Sequence, residues 1–553
     1  MSQKRDYSRR EILKSAGFLS AALVLAPKMS FAKTDLSKKQ FLIKKSINPI
    51  QDISEFQSSD FNGDNIDRPH DILWNTDGYI AKKGGIPHPT EKRKLVIVGG
   101  GMAGLLAAYR FKEFNPLVLE QDKCFGGNSK GEKLNQDAIY SIGAAYVTIP
   151  DEDSSIDQFF KETGLDQELK LESDKETHFV FKTKLMRDFW QGSTDPKNAD
   201  QFIKVEHELR RIYNEAYPDI PWSQDSQISK NEYDRLDSIS FQTWLSETFG
   251  EVHPHILEYF QKYCWSSFTG SIDELSALQV LNFVASEVDG VLALPGGNAR
   301  ICEVIMNKLD QTLSPNSLRA GAFTLEIKIQ KNNELWVTYE DELGKLITIQ
   351  TEKVIFCAPK FVAQRIIKDL PEEQNKIMDQ LLYRGYIVTN VILDGNIPAP
   401  GFDLYWFQGQ MPEAPSAMKP PQNYTTDVCF GTWAQGNDVK NTVLTMYRPL
   451  AFDGARQFLF SPFAHQKNKM RSEVELEQFI KSLGLSMGQV KGMRLTRWGH
   501  SLPVADVGLL ASGKLDLMNK PIKDKIFFAN QDNFANPAFE SAFAAVEECA
   551  KLF

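Results

Sequence analysis

Residues 94–104 read KLVIVGGGMAG. An apolar, β-branched run, Leu95 to Val98, leads straight into Gly99-Gly100-Gly101-Met102-Ala103-Gly104. A helical stretch, LLAAYRFKEF, follows, and then a second apolar run, Pro116 to Leu119, that ends in Glu120. This is a strand, a G-x-G-x-x-G turn, a helix, a strand and an acid, with the acid 21 positions after Gly99. Such an order is the fingerprint of a dinucleotide site. Gly99 permits the tight turn, Gly101 lets backbone approach a pyrophosphate, and Gly104 lets helix and strand pack closely. Met102 and Ala103 open the helix, whose N-terminus offers free N–H groups and a positive dipole end to phosphate. Glu120 is placed to accept ribose hydroxyls, which disfavours a 2′-phosphate and hence NADP.

A chain of 553 residues exceeds one hydrophobic core, so at least two domains are expected. The net charge of −9 is spread along the chain, and no basic footprint for nucleic acid is visible. The six cysteines form no C-x-x-C pair, which argues against a zinc or iron–sulfur site, and no metal is expected. Cys302 and Cys357 lie in apolar surroundings and read as buried thiols, with a disulfide left open.

Residues 1–32 read as a targeting segment. Ser8-Arg9-Arg10-Glu11-Ile12-Leu13-Lys14 carries an arginine pair, an apolar stretch from Ser15 to Ala26 follows, and Ser30-Phe31-Ala32 offers a small-x-small cleavage site. The apolar stretch, about 12 residues, is too short to span a bilayer, so no stable membrane span is expected. The segment resembles a twin-arginine signal, S-R-R-x-F-L-K, with Ile12 in place of Phe. That resemblance implies the twin-arginine export machinery as a partner, a periplasmic location, and a protein folded around its cofactor before export. Residues 33–91 are mostly polar and read as an N-terminal extension packed on the surface.

Directly after Glu120 come Gln121 and then Gly126-Gly127-Asn128. Ile142-Gly143-Ala144-Ala145 follows, and these glycines suggest backbone lying close to a ligand. From 151 to 289 the pattern is acidic, amphipathic and helical, including an aromatic-rich stretch from Tyr259 to Phe283 whose default reading is core. LPGGNAR at 294–300 opens a helix through Leu309. Strand-like alternation then runs through Phe323 to Gln330 and Glu334 to Tyr339, and returns through Leu346 to Gln350 to end in KVIFCAPK. A second excursion, 366–514, holds a clear strand, Tyr386 to Leu393, together with Tyr405-Trp406-Phe407 and RWGHSLP at 497–503. The tail is a strand, Ile526 to Ala529, a loop and an Ala-rich helix.

Four separated segments, VGGGMAGLLAAY with LVLEQDKCFGG, LPGGNARICEVIMNKL, KVIFCAPK, and KIFFANQDNFANPAFESAFAAVEECA, together resemble the flavin-dependent amine oxidase superfamily. That group includes monoamine oxidases, protoporphyrinogen oxidase and phytoene-desaturase-like enzymes. The resemblance implies bound FAD and an α/β fold: a Rossmann-like, glutathione-reductase-type FAD-binding domain interleaved with an α+β substrate domain. The FAD-binding domain would be assembled from 92–150, 290–365 and 515–553, and the substrate domain from 151–289 and 366–514. By resemblance, Gly99, Gly101, Ala103 and Gly104 hold the pyrophosphate and Glu120 holds the adenosine ribose, and Met102, Gln121, Gly126, Gly127, Asn128, Gly143 and Ala144 are expected among the cofactor-binding residues. Ser541 and Ala542 lie near the N-terminus of a C-terminal helix directed at the flavin. The family's Arg after the glycine pair is here Asn128, which keeps a donor without the charge. Its F-A-G-(D/E) is Ala529-Asn530-Gln531, with Asp532 one place later, so either Gln531 or Asp532 could meet the ribitol or pyrophosphate.

The reading of activity follows from the cofactor. An exported FAD-dependent oxidoreductase of amine-oxidase type would pass a hydride from a small-molecule substrate C–H bond to flavin N5. The alternatives are a desaturase or isomerase acting on an apolar polyene or porphyrin-like substrate, and a flavin-binding assembly protein without turnover. Trp498 and His500 in RWGHSLP, and Tyr405 with Trp406, are the candidate active-site walls; no lysine stands out as a flavin-bridging one. Oligomeric state is not legible.

Overall fold

The structure is a computed structural model that describes residues 47–56, 58–173, 177–416, 424–436 and 438–553. The arginine pair and cleavage site lie outside the described residues. One sheet is built on the glycine turn. Its central strand, Glu91–Val98, is flanked in parallel by Leu117–Leu119 on one side and Leu346–Phe356 on the other. Leu318–Arg319 extends one edge in parallel. Ile526–Phe528 pairs in parallel with Leu346–Phe356, and the antiparallel strands Leu335–Glu340 and Phe323–Ile329 complete the other side.

The apolar run Leu95 to Val98 is continuous because the sheet is covered on both faces. Leu95 and Ile97 pack against helices Met102–Arg110 and Ala299–Thr312, through Leu105, Ala108, Ile301 and Ile305. Val96 and Val98 join the opposite core with Val354 and Phe356. The C-terminal helix Phe539–Leu552 packs beside Met102–Arg110, with Phe539 stacked on Phe160 and Phe543 edge-on to Phe159. Helix Ser155–Thr163 therefore shares the core of this first sheet, although the expected boundary at 151 assigns it to the other domain.

The second large sheet has eight strands, in the order Lys184–Arg187, His178–Phe181, Asp403–Phe407, Asp427–Phe430, Thr442–Leu450, Leu382–Leu393, Val490–Val504 and Asn62–Gly63. The aromatic stretch from Tyr259 to Phe283 is two helices, Pro254–Phe268 and Ala277–Ser286, separated by a turn at residues 272–274.

The extension differs from the surface decoration expected of it. Strand Ile50–Ile53 pairs in parallel with Gly131–Leu134, and Asn62–Gly63 joins the second sheet beside Val490–Val504. Phe125 and Gly131 donate their N–H groups to the carbonyls of Ile47 and Pro49, so the segment clasps the loop after Glu120. Its polar composition disguised this, because edge pairing uses backbone groups and asks little of the side chains. All six cysteines are buried and unpaired. Among the described residues, no helix is long and apolar enough to cross a membrane.

Candidate cofactor and active site

The glycine turn is as crowded as its spacing predicts. A Cβ on Gly104 would lie 1.8 Å from the Gly99 carbonyl oxygen, and one on Gly99 would meet the Ala358 nitrogen at 3.0 Å. Gly99 also sits at φ +106°, which a side chain rarely tolerates. Helix Met102–Arg110 starts at Gly101 with no side chain capping it. Gly127 lies opposite Gly101, at φ +57°, and a Cβ on it would come 3.0 Å from the Gly101 Cα. Two bare backbones thus face each other beside an uncapped helix N-terminus, a cradle suited to a pyrophosphate.

Glu120 Oε2 accepts the Gly100 N–H at 2.7 Å and Oε1 accepts the Asp122 N–H at 2.8 Å. Burial raises its pKa, against the opposing pull of Lys130. Each oxygen keeps a lone pair for a ribose hydroxyl. Gln121 is exposed beside it. The Asn128 amide, expected to replace the missing arginine, instead donates to the Ser501 carbonyl at 3.0 Å. It ties the glycine pair to the second sheet, and the nearby cation is Lys130, paired with Asp122.

Of the two residues open at the family's acid position, Asp532 is committed elsewhere. Its Oδ2 accepts the Lys360 N–H at 3.0 Å and the Tyr383 hydroxyl at 2.6 Å. Gln531 remains as the group free to turn toward a ribitol. Next to it, Asn530 donates to Ala358 O at 2.6 Å, while its own Oδ1 is buried without a partner. A buried acceptor lacking a donor is costly unless a ligand supplies one, and a ribitol hydroxyl is such a donor. The C-terminal helix begins at Phe539 with Ser541 and Ala542 buried in its first turn. Glu540 there accepts the Thr148 N–H at 2.8 Å and its hydroxyl at 2.6 Å. Cradle and orphaned acceptor both fit FAD.

The second sheet turns one face toward this cradle. Residues directly opposite each other across a strand pair share a face. The pairs Tyr405 with Asp427, Asp403 with Cys429, Asp427 with Tyr447, and Tyr386 with Trp498 therefore lay these residues out on one surface. Tyr386 and Tyr447 lie 6.0 Å apart. Tyr447 donates its hydroxyl to the Gly143 carbonyl at 2.8 Å, and Trp498 donates its indole N–H to Ile142 O at 2.8 Å. Both bonds tie the sheet to the 142–144 loop. Gly143 has no room for a side chain: a Cβ there would lie 2.0 Å from the Asn128 carbonyl oxygen. Gly297, at φ +62°, closes the loop from behind, where a Cβ would meet Ala144 O at 2.8 Å.

Tyr405 and Trp406 part company. Along Asp403–Phe407, Asp403 and Tyr405 stay part-exposed, while Leu404 and Trp406 are buried. Trp406 projects to the opposite face, packs edge-on against Phe479 at 5.7 Å and donates to Lys182 O at 2.9 Å. It is a core residue, not a wall of this site, because adjacent strand residues point to opposite faces. His500 is set apart from the tyrosines just described. It stacks on Phe361 at 4.2 Å and faces Tyr383 at 6.2 Å, and burial pulls its pKa down to about 3, leaving it neutral.

The sequence reading missed the acids of this face. Asp403, Asp427 and Cys429 hold one oxygen or sulfur each within 4.8 Å of one another. Ser266 donates to Asp427 Oδ1 at 2.7 Å and lies 3.1 Å from the Tyr386 hydroxyl. Behind them Glu287 accepts the Tyr146 and Tyr263 hydroxyls at 2.9 and 2.8 Å. Burial raises the pKa values of both Asp403 and Asp427, and for Asp403 the neighbouring carboxylates of Asp427 and Glu172 push further. Two charges this close repel by about 4 kcal/mol even at an effective dielectric near 20. No local motif marks these residues; only the strand register joins them.

Comparison with known proteins agrees with this geometry. Residues 97–163 match the model of an NAD(P)-binding Rossmann-like domain, which spans the glycine turn and the second strand. Oxidoreductase PigB of Serratia sp. (strain ATCC 39006) is 23% identical over 511 residues, covering 82% of this chain and 73% of that protein. A probable flavin-containing monoamine oxidase A of Dictyostelium discoideum is 24% identical over 324 residues, covering 54% of this chain and 65% of that protein. The solved structure of putrescine oxidase bound to putrescine superposes with a TM-score of 0.60 at 16% identity, covering 84% of this chain and 99% of that one. Cradle, interleaved sheets and relatives together support an FAD-binding oxidoreductase that is similar to the flavin-containing amine oxidases.

Proposed function

We propose that this FAD-dependent oxidoreductase takes hydride from a carbon bonded to nitrogen in an organic amine. The observation that carries the reading is the junction at Gly143, where the cofactor cradle meets a sheet face of tyrosines, tryptophan and carboxylates through the Tyr447 and Trp498 hydrogen bonds. When bound, FAD supplies the hydride acceptor. Gly99, Gly101, Met102, Ala103, Gly104 and Gly127 would hold its pyrophosphate, Glu120 its adenosine ribose, and Asn530 with Gln531 its ribitol. The chain then has to hold the substrate carbon within about 3–3.5 Å of the acceptor. Tyr386, Tyr405, Tyr447 and Trp498 form walls for that task and exclude water. A polyene or porphyrin-like substrate would leave the carboxylates of Asp403 and Asp427 against apolar surface, which is costly; this favours an amine.

Anaerobic titration of the purified holoprotein with benzylamine, n-hexylamine and putrescine tests the reading. Bleaching of the flavin by at least one of them supports it. Bleaching by a porphyrinogen or a polyene and by none of the amines would replace it with the desaturase reading. We also propose that the Arg9-Arg10 segment directs export of the folded protein to the periplasm. Replacing both by lysine should retain it inside spheroplasts on fractionation, and unchanged release into the periplasmic fraction would remove that part.

A further inference from the structure

Helix Ala464–Ser482 covers the back of the second sheet, the face away from the tyrosines. Leu476, Phe479 and Ile480 hold it there against Leu404, Trp406 and Met493, with Phe479 edge-on to Trp406 at 5.7 Å. That inward face explains how the helix is anchored. It does not explain the outward one. Phe463 at the N-cap, then Met470 and Val474, follow at spacings of seven and four residues, so they stand in one line along the outer surface. Phe463 is 73% exposed, and Met470 and Val474 are each 59% exposed. Phe463 also sits at φ +62°, where a bulky residue is uncommon. Phe458, on the short helix Ala455–Leu459 just before it, adds a further exposed ring. Single exposed apolar residues are ordinary, but several grouped on one element mark an interaction surface.

The charge around this line is as uneven as its hydrophobicity. Residues 454–472 hold Arg456, Lys467, Lys469 and Arg471 and no acid, in a chain whose net charge is −9. Lys467 and Arg471 are exposed along one flank of the apolar line. Among the described residues, none of these four cations forms an ion pair. The acids of the helix are used elsewhere: Glu475 is buried on Arg448, Glu477 pairs with Lys481 at 3.0 Å, and helical spacing sets Glu473 on the far flank. Side chains this exposed stand on a ridge rather than in a groove, which gives a shape-matched protein partner little to enclose. A bilayer surface needs no matching shape. Apolar side chains enter the acyl boundary, while lysine and arginine stems lie along it and keep their charges at the headgroups. An anionic headgroup layer supplies the missing counter-charge, at roughly a fivefold gain in binding for each cation.

We propose that the outer face of helix Ala464–Ser482, led by Phe463, docks the protein on a membrane surface of anionic phospholipid. Phe463, Met470 and Val474 enter the boundary, and Arg456, Lys467 and Arg471 meet the phosphates. The contact is peripheral, in keeping with the absence among the described residues of a helix long and apolar enough to cross a membrane. This helix and the tyrosines lie on opposite sides of the second sheet, so docking leaves the proposed substrate face clear of lipid. The membrane then holds the protein in place rather than delivering its substrate.

Co-sedimentation of the purified holoprotein with phosphatidylcholine vesicles, alone or with about one-third phosphatidylglycerol, tests the docking surface. Binding to the anionic vesicles should exceed binding to the neutral ones at least about 10-fold, and should fall at least about 10-fold as salt rises from about 0.05 to about 0.5 M. Met470→Glu combined with Val474→Glu should weaken binding to the anionic vesicles at least about 10-fold with flavin content unchanged. Phe463→Asn, which the left-handed backbone accepts, is the second variant and should act in the same direction. Both variants share the native N-terminal sequence, so a loss of binding maps to the helix and not to residues 1–32. Equal binding to the two vesicle types, no binding to either, salt-indifferent binding, or variants that bind as the native chain does would overturn the proposal. So would a concentration-dependent dimer, seen by light scattering without vesicles and lost in the variants while no vesicle is bound, because the face would then join two copies of this chain.

Discussion

The cofactor cradle and the tyrosine–carboxylate face meet at Gly143, yet they are built by opposite means. The cradle draws its key residues from short runs of sequence, and its chemistry is backbone chemistry: bare N–H groups, positive φ values and missing Cβ atoms. The sheet face draws Tyr386, Asp403, Tyr405, Asp427, Tyr447 and Trp498 from five strands and over a hundred residues of chain. Its chemistry is carried entirely by side chains. A cradle of that kind recognises what every dinucleotide shares. A face of the other kind can be rewritten one residue at a time without disturbing the fold, which is why the proposed function assigns substrate recognition to it.

The sharpest way to break this contrast is at Gly104. Its Cβ would fall 1.8 Å from a backbone oxygen, where no side chain can swing aside. Gly104→Val should therefore displace the helix from the strand and remove bound flavin, a loss of more than about 100-fold in FAD affinity, or about 3 kcal/mol. The flavin-to-protein absorbance ratio of the purified variant reads it, with circular dichroism to establish that the rest is folded. Stoichiometric flavin in that variant would mean that the cradle is not the pyrophosphate site.

The same contrast explains what could be read ahead of the structure. The turn at 99–104, the acid at 120 and the LPGGN segment were legible because each demand is local and met by a fixed spacing. Asn128 was legible as a departure but not in its use, since its partner, Ser501, lies far along the chain. Asp532 and Gln531 stand side by side in sequence, and only the Tyr383 and Lys360 contacts separate their roles. Tyr405 and Trp406 could have been separated by strand alternation, which forbids both from facing one site. Which of the two faces inward is set by pairing with Asp427, and that is invisible in a single sequence. The aspartates were missed altogether, because an acid at the start of a strand looks like an ordinary solvated residue until its partner strand is known.

Glu287 offers a middle-sized test of how dry the side-chain face is. Burial lifts its pKa from the ordinary 4.5 to about 7. The folded state thus holds the proton more tightly than the unfolded chain. That contribution to stability is complete below the unfolded value and is lost as the pH rises through the folded one. Glu287→Gln keeps an acceptor for Tyr146 and Tyr263 but has no proton to lose. Relative to the native chain it should gain about 2 kcal/mol of stability between about pH 5 and pH 8, measured by urea unfolding at both. A difference that does not change with pH would mean that water reaches this carboxylate freely and that the face is wet.

The smallest effect is expected at the junction itself. Tyr447→Phe keeps the ring and deletes only the hydroxyl that donates to Gly143 O at 2.8 Å. The lost bond is worth about 1 kcal/mol, with the carbonyl left short of a donor. If Tyr447 were merely a wall, the variant would bind amine as before and reduce flavin as before, since the ring is intact. If the hydroxyl holds the 142–144 loop in the position that the cofactor requires, amine affinity should stay within about twofold while the rate of flavin reduction falls about fivefold. Stopped-flow reduction across a range of benzylamine concentrations separates the two quantities in one experiment. A loss confined to affinity would assign Tyr447 to the substrate alone, and the two regions would then be neighbours without being coupled.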